Sequence, residues 1–206
     1  MTIRAVVFDI GGVLEYTPEL GTNARWERKL NLPPGEMEAR LGGVWRDGSI
    51  GAIREIEVRR RTAEILGISV AEVDAMEADI WVEYLGTLNV ELADYFRSLR
   101  PQFQTAILSN SFVGAREREQ EQYGFAQMCD FIIYSHEVGM RKPDRQIFLL
   151  TCERLGLPAE QVIFLDNVPA NVAAACQVGM HGILFKENAQ AMADIQGCIR
   201  ANSGGR

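Results

Sequence analysis

Along the chain, short runs of consecutive apolar residues alternate with longer stretches in which apolar residues recur every three or four positions. The first run, residues 5–9 (AVVFD), is rich in β-branched side chains, ends on an acid and is followed by Gly11-Gly12. Residues 105–109 (TAILS), 131–135 (FIIYS) and 162–166 (VIFLD) share its form, and 181–185 (HGILF) makes a fifth. A run that is apolar at nearly every position predicts a strand covered on both faces, as in a parallel sheet. Residues 114–122, 144–155 and 170–179 carry helical patterns between these runs. Alternating strands and helices predict a doubly wound α/β sheet with right-handed crossovers.

Residues 15–91 break the alternation. They hold helical periodicity at 53–66 and 70–85, the turn elements Pro33-Pro34-Gly35 and Gly42-Gly43, and all three tryptophans, Trp26, Trp45 and Trp81. The stretch reads as a helical insertion after the first strand. Tryptophans in so small a unit are expected to pack its core, because large aromatics dominate small cores. Arg59-Arg60-Arg61 reads as a solvated helix face, and the tail 202–206 as frayed.

Composition narrows the functional classes. The 206 residues are 47% hydrophobic and 24% charged, enough to bury a real core. A net charge of −7 argues against nucleic-acid binding, which needs a basic face to neutralise phosphates. No window approaches the roughly 18 apolar residues of a membrane span, and the N-terminal sequence lacks the apolar stretch and cleavage site of a secretory signal. Cys129, Cys152, Cys176 and Cys198 are scattered, with no CxxC, so they are expected to be free thiols in a reducing, cytoplasmic setting. Cys152 and Cys176 fall on helical patterns, where a free thiol packs as a small hydrophobe.

Candidate chemistry sits where the strands end. In open α/β sheets ligands bind outside the carboxyl ends of the strands. Those ends carry Asp9, Ser109-Asn110, the loop Gly139-Met140-Arg141-Lys142-Pro143-Asp144, and Asp166-Asn167. Two carboxylates, a hydroxyl, an amide and a lysine would converge on one crevice, a set suited to phosphoryl transfer. A carboxylate such as Asp9 can attack phosphorus and form an aspartyl-phosphate. Mg²⁺, held by Asp9, Asp166 and a backbone carbonyl, would reduce the repulsion between two anions. Lys142 would place a point charge on the transferring group, with Ser109 donating to its oxygens. Of 21 basic residues only Lys29, Lys142 and Lys186 are lysines, which makes the one at this position conspicuous.

The motifs FDIGGVL (8–14), ILSNS (107–111), GMRKPD (139–144) and FLDN (164–167), in this order, resemble the haloacid dehalogenase-like (HAD) hydrolase superfamily. The resemblance spans essentially the whole chain and points to the subgroup with a helical cap inserted after the first strand. It implies a Rossmann-like three-layer core at 1–14 and 92–206 with a cap at 15–91. It further implies Mg²⁺ dependence, an Asp9 nucleophile, phosphate contacts from Ser109 and Asn110, a Lys142 that steadies the charge, and an Asp166 that binds metal. Most members are phosphatases, so the expected substrate is a small phosphorylated metabolite.

Two positions depart from the family pattern. The residue two beyond the nucleophile, usually an aspartate that protonates the leaving group and later activates water, is Gly11. Its backbone carbonyl still serves as the implied metal ligand, but the missing acid would cost on the order of 10²–10⁴ in rate. Asn167 stands where another acid is usual, which should weaken Mg²⁺ binding. Three accounts follow: a phosphatase drawing its proton from elsewhere, a phosphatase confined to easily departing groups, and a catalytically weakened protein that binds a phosphorylated ligand or a protein partner. Glu15 is a candidate proton source, although an acid there is more commonly a solvated loop carboxylate. A haloacid dehalogenase is a weaker alternative, because GGVL is not the dehalogenase pattern after the nucleophile. His136 reads as a loop histidine held by backbone, and Trp26, Trp45, Arg25 and Arg46 are cap side chains that could turn inward.

Overall fold

The structure, a computed structural model, describes residues 2–202. Strand β1 (Ala5–Phe8) runs into a tight loop and then β2 (Glu15–Tyr16), which leads to helices α1 (Thr22–Lys29), α2 (Glu36–Ser49), α3 (Glu55–Leu66) and α4 (Val70–Leu85). Strand β3 (Thr87–Leu88) returns antiparallel to β2, so a short ribbon carries the chain out to the four helices and back. The rest alternates: α5 (Val90–Ser98), β4 (Gln104–Ser109), α6 (Ala115–Tyr123), α7 (Phe125–Met128), β5 (Phe131–Tyr134), α8 (Ser135–Val138), α9 (Arg145–Leu155), a 3-10 turn at Ala159–Gln161, β6 (Val162–Asp166), α10 (Pro169–Gln177), β7 (His181–Leu184) and α11 (Asn188–Asn202).

The main sheet has the order β5-β4-β1-β6-β7, and every neighbouring pair is parallel. The chain builds outward from β1 through β4 and β5, then returns to the other side of β1 with β6 and β7. That reversal puts a topological switch point at the carboxyl ends of β1 and β6, where open α/β sheets bind ligands. Both faces of the sheet are covered, as the continuously apolar strands require. Val6 and Phe8 point to one side, against Leu92, Ala93 and Phe96 of α5 and Ala191 and Ile195 of α11. The rings of Phe8 and Phe96 stack with centroids 4.5 Å apart. Ala5 and Val7 point the other way, into a cluster with Ile147 and Phe148 of α9 and Ala175 of α10. The doubly wound parallel α/β sheet expected from the strand pattern, and the Rossmann-like core implied by the family resemblance, are observed.

Several expected elements shift. Gly42-Gly43 is not a turn but lies inside α2, because Met37, Leu41, Val44 and Gly48 form a buried stripe at helical spacing that holds the helix through the glycine pair. The fifth helix is α5 and the last is α11; neither stood out from its pattern. Strand β5 stops at Tyr134, and Ser135 opens α8. Asn202 closes α11, whereas the remainder of the tail expected to fray, 203–206, lies outside the described residues. Cys176 is exposed rather than packed, and all four cysteines are free. Arg60 is exposed and Arg59 and Arg61 are half-buried, all in ion pairs with acids of α2, α3 and α4. No described helix is long and apolar enough to cross a membrane.

Helix α2 sits directly on the sheet end. A Cβ at Gly48 would lie 2.3 Å from the ring of Phe112, so only glycine admits this approach. The Ser135 hydroxyl donates to the backbone carbonyl of Ser49 at 2.7 Å and accepts from the N–H of Ser111 at 2.9 Å, tying the end of α2 to two loops of the core.

Candidate active site

Asp9 follows β1 and Asp166 ends β6, and the two strands are neighbours in parallel register. Their side chains meet at a single cation. Lys142 Nζ lies 2.7 Å from Asp9 Oδ1 and 2.7 Å from Asp166 Oδ2, and all three side chains are essentially buried. Both carboxylates that share this buried ammonium also have neutral donors, which offsets part of the cost of burying them. Asp9 Oδ1 accepts the N–H of Ile10 at 2.8 Å. Asp166 accepts the N–H of Val168 at 2.7 Å and the amide of Asn171, whose Nδ2 lies 3.2 and 3.0 Å from its two oxygens. Burial pushes the Asp9 carboxyl up to about 7, with the neighbouring Asp166 adding to the rise and Lys142 opposing it.

Lys142 is itself held by its backbone. The Asn110 side chain donates from Nδ2 to the Lys142 carbonyl and accepts the Lys142 N–H on Oδ1, both at 2.8 Å. This reciprocal pair ties the loop after β4 to the loop carrying the lysine. It also changes the role expected of Asn110: its side chain is committed to Lys142, which leaves its backbone N–H for any phosphate contact. The buried Ser109 hydroxyl makes only a long 3.4 Å contact with the Asn110 carbonyl, so it remains available as a donor.

Gly11 and Gly12 form the loop between β1 and β2. Gly12 has φ +72, and a Cβ there would strike the Asn167 side-chain amide at 2.1 Å. Glycine is therefore required at 12. Gly11 is different, because a Cβ at this exposed position would meet nothing nearer than Thr17 Oγ1 at 4.0 Å. The missing acid is thus a matter of sequence and not of space. Asn167 is exposed and lies against Gly12.

Glu15 is not a solvated loop carboxylate. It is 2% exposed on β2, and its Oε2 is buried without a hydrogen-bond partner. Burial, with Glu119 and Asp9 adding like charge, pushes its carboxyl up to about 9. Glu119 of α6 accepts the Tyr134 hydroxyl at 2.6 Å and is pushed up to about 7, mainly by burial. Nothing in the sequence pattern marked Glu119: it lies in a run of charged residues that reads as a solvated face. Asn171 was also missed, though its place one turn into the helix after FLDN is a usable signal.

His136 opens α8 with Ser135, and its Nδ1 lies 2.6 Å from the Ser111 hydroxyl, a side-chain partner in place of the expected backbone one. Of the four cap side chains considered, Trp45 and Arg46 line a cavity of about 360 Å³ at the strand ends, together with Asn110, Ser111 and Arg141. Trp26 instead packs with Met37 and Leu41 of α2 and Met76 of α4, donating to Asp79 at 2.9 Å, and Arg25 bonds Leu20 and Thr22.

The donor set fits Mg²⁺. Among the described residues no three His, Cys, Asp or Glu side chains gather to hold a metal, as in a cage made wholly of protein. What the geometry offers is two carboxylates on one ammonium, beside the exposed Gly11 backbone. Mg²⁺ retains several waters and is commonly held by one or two carboxylates plus substrate phosphate.

Comparison with known proteins adds to this geometry. A family model described as haloacid dehalogenase-like hydrolase matches residues 3–179. Bifunctional epoxide hydrolase 2 from Sus scrofa is 30% identical, over 95% of this chain and 39% of that protein. The chain therefore spans well under half the length of this relative. A D-ribitol-5-phosphate phosphatase from Bacteroides thetaiotaomicron is 21% identical, over 86% of this chain and 89% of that one. A crystal structure of a HAD family enzyme from the same organism, in complex with magnesium and inorganic phosphate, superposes with a TM-score of 0.79 at 21% identity, covering 92% of this chain and 98% of that one.

Proposed function

The chain belongs to the haloacid dehalogenase-like hydrolase family, and from that premise we propose that it is a Mg²⁺-dependent phosphate monoester hydrolase working through an aspartyl-phosphate on Asp9. The observation that carries this reading is the pair of buried carboxylates, Asp9 and Asp166, sharing the Lys142 ammonium at the switch point of the sheet. Family relatives that hydrolyse or hold phosphate support it.

Residues 1–14 and 92–206 would form the catalytic core and 15–91 the cap. Asp9, Asp166 and the Gly11 carbonyl would hold Mg²⁺, which when bound offsets the charge of nucleophile and phosphate. Lys142 and Ile10 N–H both engage Asp9 Oδ1, which fixes the carboxylate and leaves Oδ2 as the oxygen that would attack phosphorus. In the first step a new O–P bond forms from Asp9 as the bond to the leaving oxygen breaks. The electron pair departs with that oxygen. Ser109 Oγ, backbone N–H groups and the Lys142 charge stabilise the transferring oxygens. In the second step water attacks phosphorus, releasing phosphate and restoring the carboxylate.

With glycine at 11, no side chain there protonates the leaving oxygen. Acyl, anomeric and aryl phosphates, whose leaving groups depart with little protonation, are therefore the favoured class. Glu15, buried and holding its proton, is the nearest acid beyond the loop and the candidate donor for less willing leaving groups. The same glycine favours a second reading, a catalytically weakened protein that binds a phosphorylated ligand. Phosphate release from a panel of aryl, anomeric and alkyl phosphates, with and without Mg²⁺ and beside Asp9→Asn, separates the two. The proposal expects Mg²⁺-dependent release that Asp9→Asn abolishes. Ligand binding with no release supports the second reading, and chloride release from 2-haloacids would move the chain to dehalogenation.

A further inference from the structure

A second cavity, about 370 Å³, lies within the cap helices and shares part of its wall with the cavity at the strand ends. Glu38, Trp45, Tyr84 and Phe112 line both. Phe112 stands three residues beyond Ser109, so the loop that would grip phosphate also walls the inner chamber.

The two spaces differ in chemistry. The outer one has Arg46 and Arg141, cations suited to an anion. The inner one is walled by Trp45, Met76, Ile80, Trp81, Tyr84 and Phe112. Trp81 packs edge-on to Tyr84 at 5.0 Å and tilted to Phe112 at 6.4 Å, a continuous aromatic surface. Three acids lie at its margin: Glu55 pairs with Arg118 at 2.6 Å, Glu77 with Arg59 at 3.0 Å through one oxygen while its Oε1 is buried without a partner, and Glu38 stands between the two cavities. No cation is left there to attract a second anionic group, and the size lies within the range of small-molecule sites.

We propose that the inner chamber receives the apolar tail of the substrate, so that this protein acts on amphipathic phosphate monoesters, with the phosphate at Asp9 and a hydrocarbon or aryl tail between α2, α3 and α4. The proposal rests on the phosphatase reading of the same site and adds the substrate class. A polyol phosphate would leave the aromatic wall of Trp45, Trp81, Tyr84 and Phe112 in contact with water.

A series of 4-alkylphenyl phosphates tests it, since the phenolate leaving group stays constant while the tail grows. With Mg²⁺, kcat/KM should rise roughly fourfold per added methylene until the chamber is filled. Val58→Phe, which adds a ring to the chamber wall, should erase that rise, so that long-tailed and short-tailed esters turn over alike in the variant. Ile80→Phe serves the same purpose should the first variant fold poorly. A flat or falling series in the wild-type protein overturns the proposal.

Binding of non-hydrolysable alkylphosphonates, followed by the fluorescence of Trp45 and Trp81, needs no turnover. If nothing is hydrolysed but octylphosphonate binds far more tightly than ethylphosphonate, the phosphatase reading fails and the amphipathic-ligand inference survives. Equal binding, or preference for ribitol 5-phosphate, sinks the inference whatever the activity.

Discussion

Restoring an acid at position 11 isolates the consequence of its absence. A Cβ on Gly11 meets nothing nearer than Thr17 Oγ1 at 4.0 Å, and the backbone there avoids the left-handed region, so Gly11→Asp should fold as the parent does. Replacing a glycine in a compatible conformation adds about 0.4–1 kcal/mol by restricting the unfolded chain. The new carboxyl would stand at an exposed position two residues from Asp9. General acid catalysis is worth on the order of 10²–10⁴, or about 3–5 kcal/mol of barrier. That gain applies only where the leaving group needs a proton. The assay is therefore kcat/KM, which reports steps up to departure of that group, measured with Mg²⁺ on an alkyl phosphate and on p-nitrophenyl phosphate. The alkyl ester should gain on the order of 10²–10⁴, and the nitrophenyl ester should change by no more than about threefold. Equal gains on both, or none on either in a variant that is folded and binds Mg²⁺, would refute the claim that the proton is what this site lacks.

Other perturbations address the supporting groups. Asn171→Ala frees both oxygens of Asp166 from their orienting amide and should weaken Mg²⁺ about 10–100-fold in a calorimetric titration. Lys142→Met leaves Asp9 and Asp166 facing each other with no cation. In metal-free buffer it should cost about 3–5 kcal/mol by denaturant unfolding, and added Mg²⁺ should stabilise it more than the parent. Folding raises the carboxyls of Glu15 to about 9 and Glu119 to about 7 from an ordinary value of 4.5. Each group's stabilising contribution is complete below that ordinary value and is lost as pH rises through the folded one. The unfolding temperature without metal should fall from pH 6 to 9, at up to about 1.4 kcal/mol per pH unit per group, and Glu15→Gln should flatten the fall. Gly48→Ala puts a methyl 2.3 Å from the Phe112 ring and should cost about 1–3 kcal/mol, read by the same unfolding assay.

The core was legible because parallel strands buried on both faces must be apolar at nearly every position, as β1, β5 and β6 are and β4 largely is, while β7 (HGIL) is a half-buried edge strand. Residues at their carboxyl ends are then neighbours whatever their separation in sequence, which is why Asp9, Lys142 and Asp166 could be grouped before their contacts were known. The cap was legible only as an insertion. Its helices bury several competing stripes, so periodicity did not say that Trp26 would turn to the cap core while Trp45 and Trp81 line a cavity. Gly42-Gly43 imitates a turn, and only the packing of Met37, Leu41 and Val44 keeps it helical. Glu15 and Glu119 were hidden for the same reason. A carboxylate looks solvated in sequence, and its burial depends on the β2–β3 ribbon and on Tyr134, both contacts between distant segments. Asn110 was recognised as part of the site, but its grip on the Lys142 backbone is a matter of loop geometry that no spacing encodes.

The central claim is that Asp9 takes the phosphoryl group, and the most direct measurement is to look for it there. Acid-quenching the protein during Mg²⁺-supported turnover of p-nitrophenyl phosphate, followed by peptide mass mapping, should find phosphate on Asp9. Because no acid at 11 activates water for the second step, a substantial fraction of the enzyme should carry it. Undiminished turnover in Asp9→Asn, or phosphate trapped on a different residue, would contradict the account.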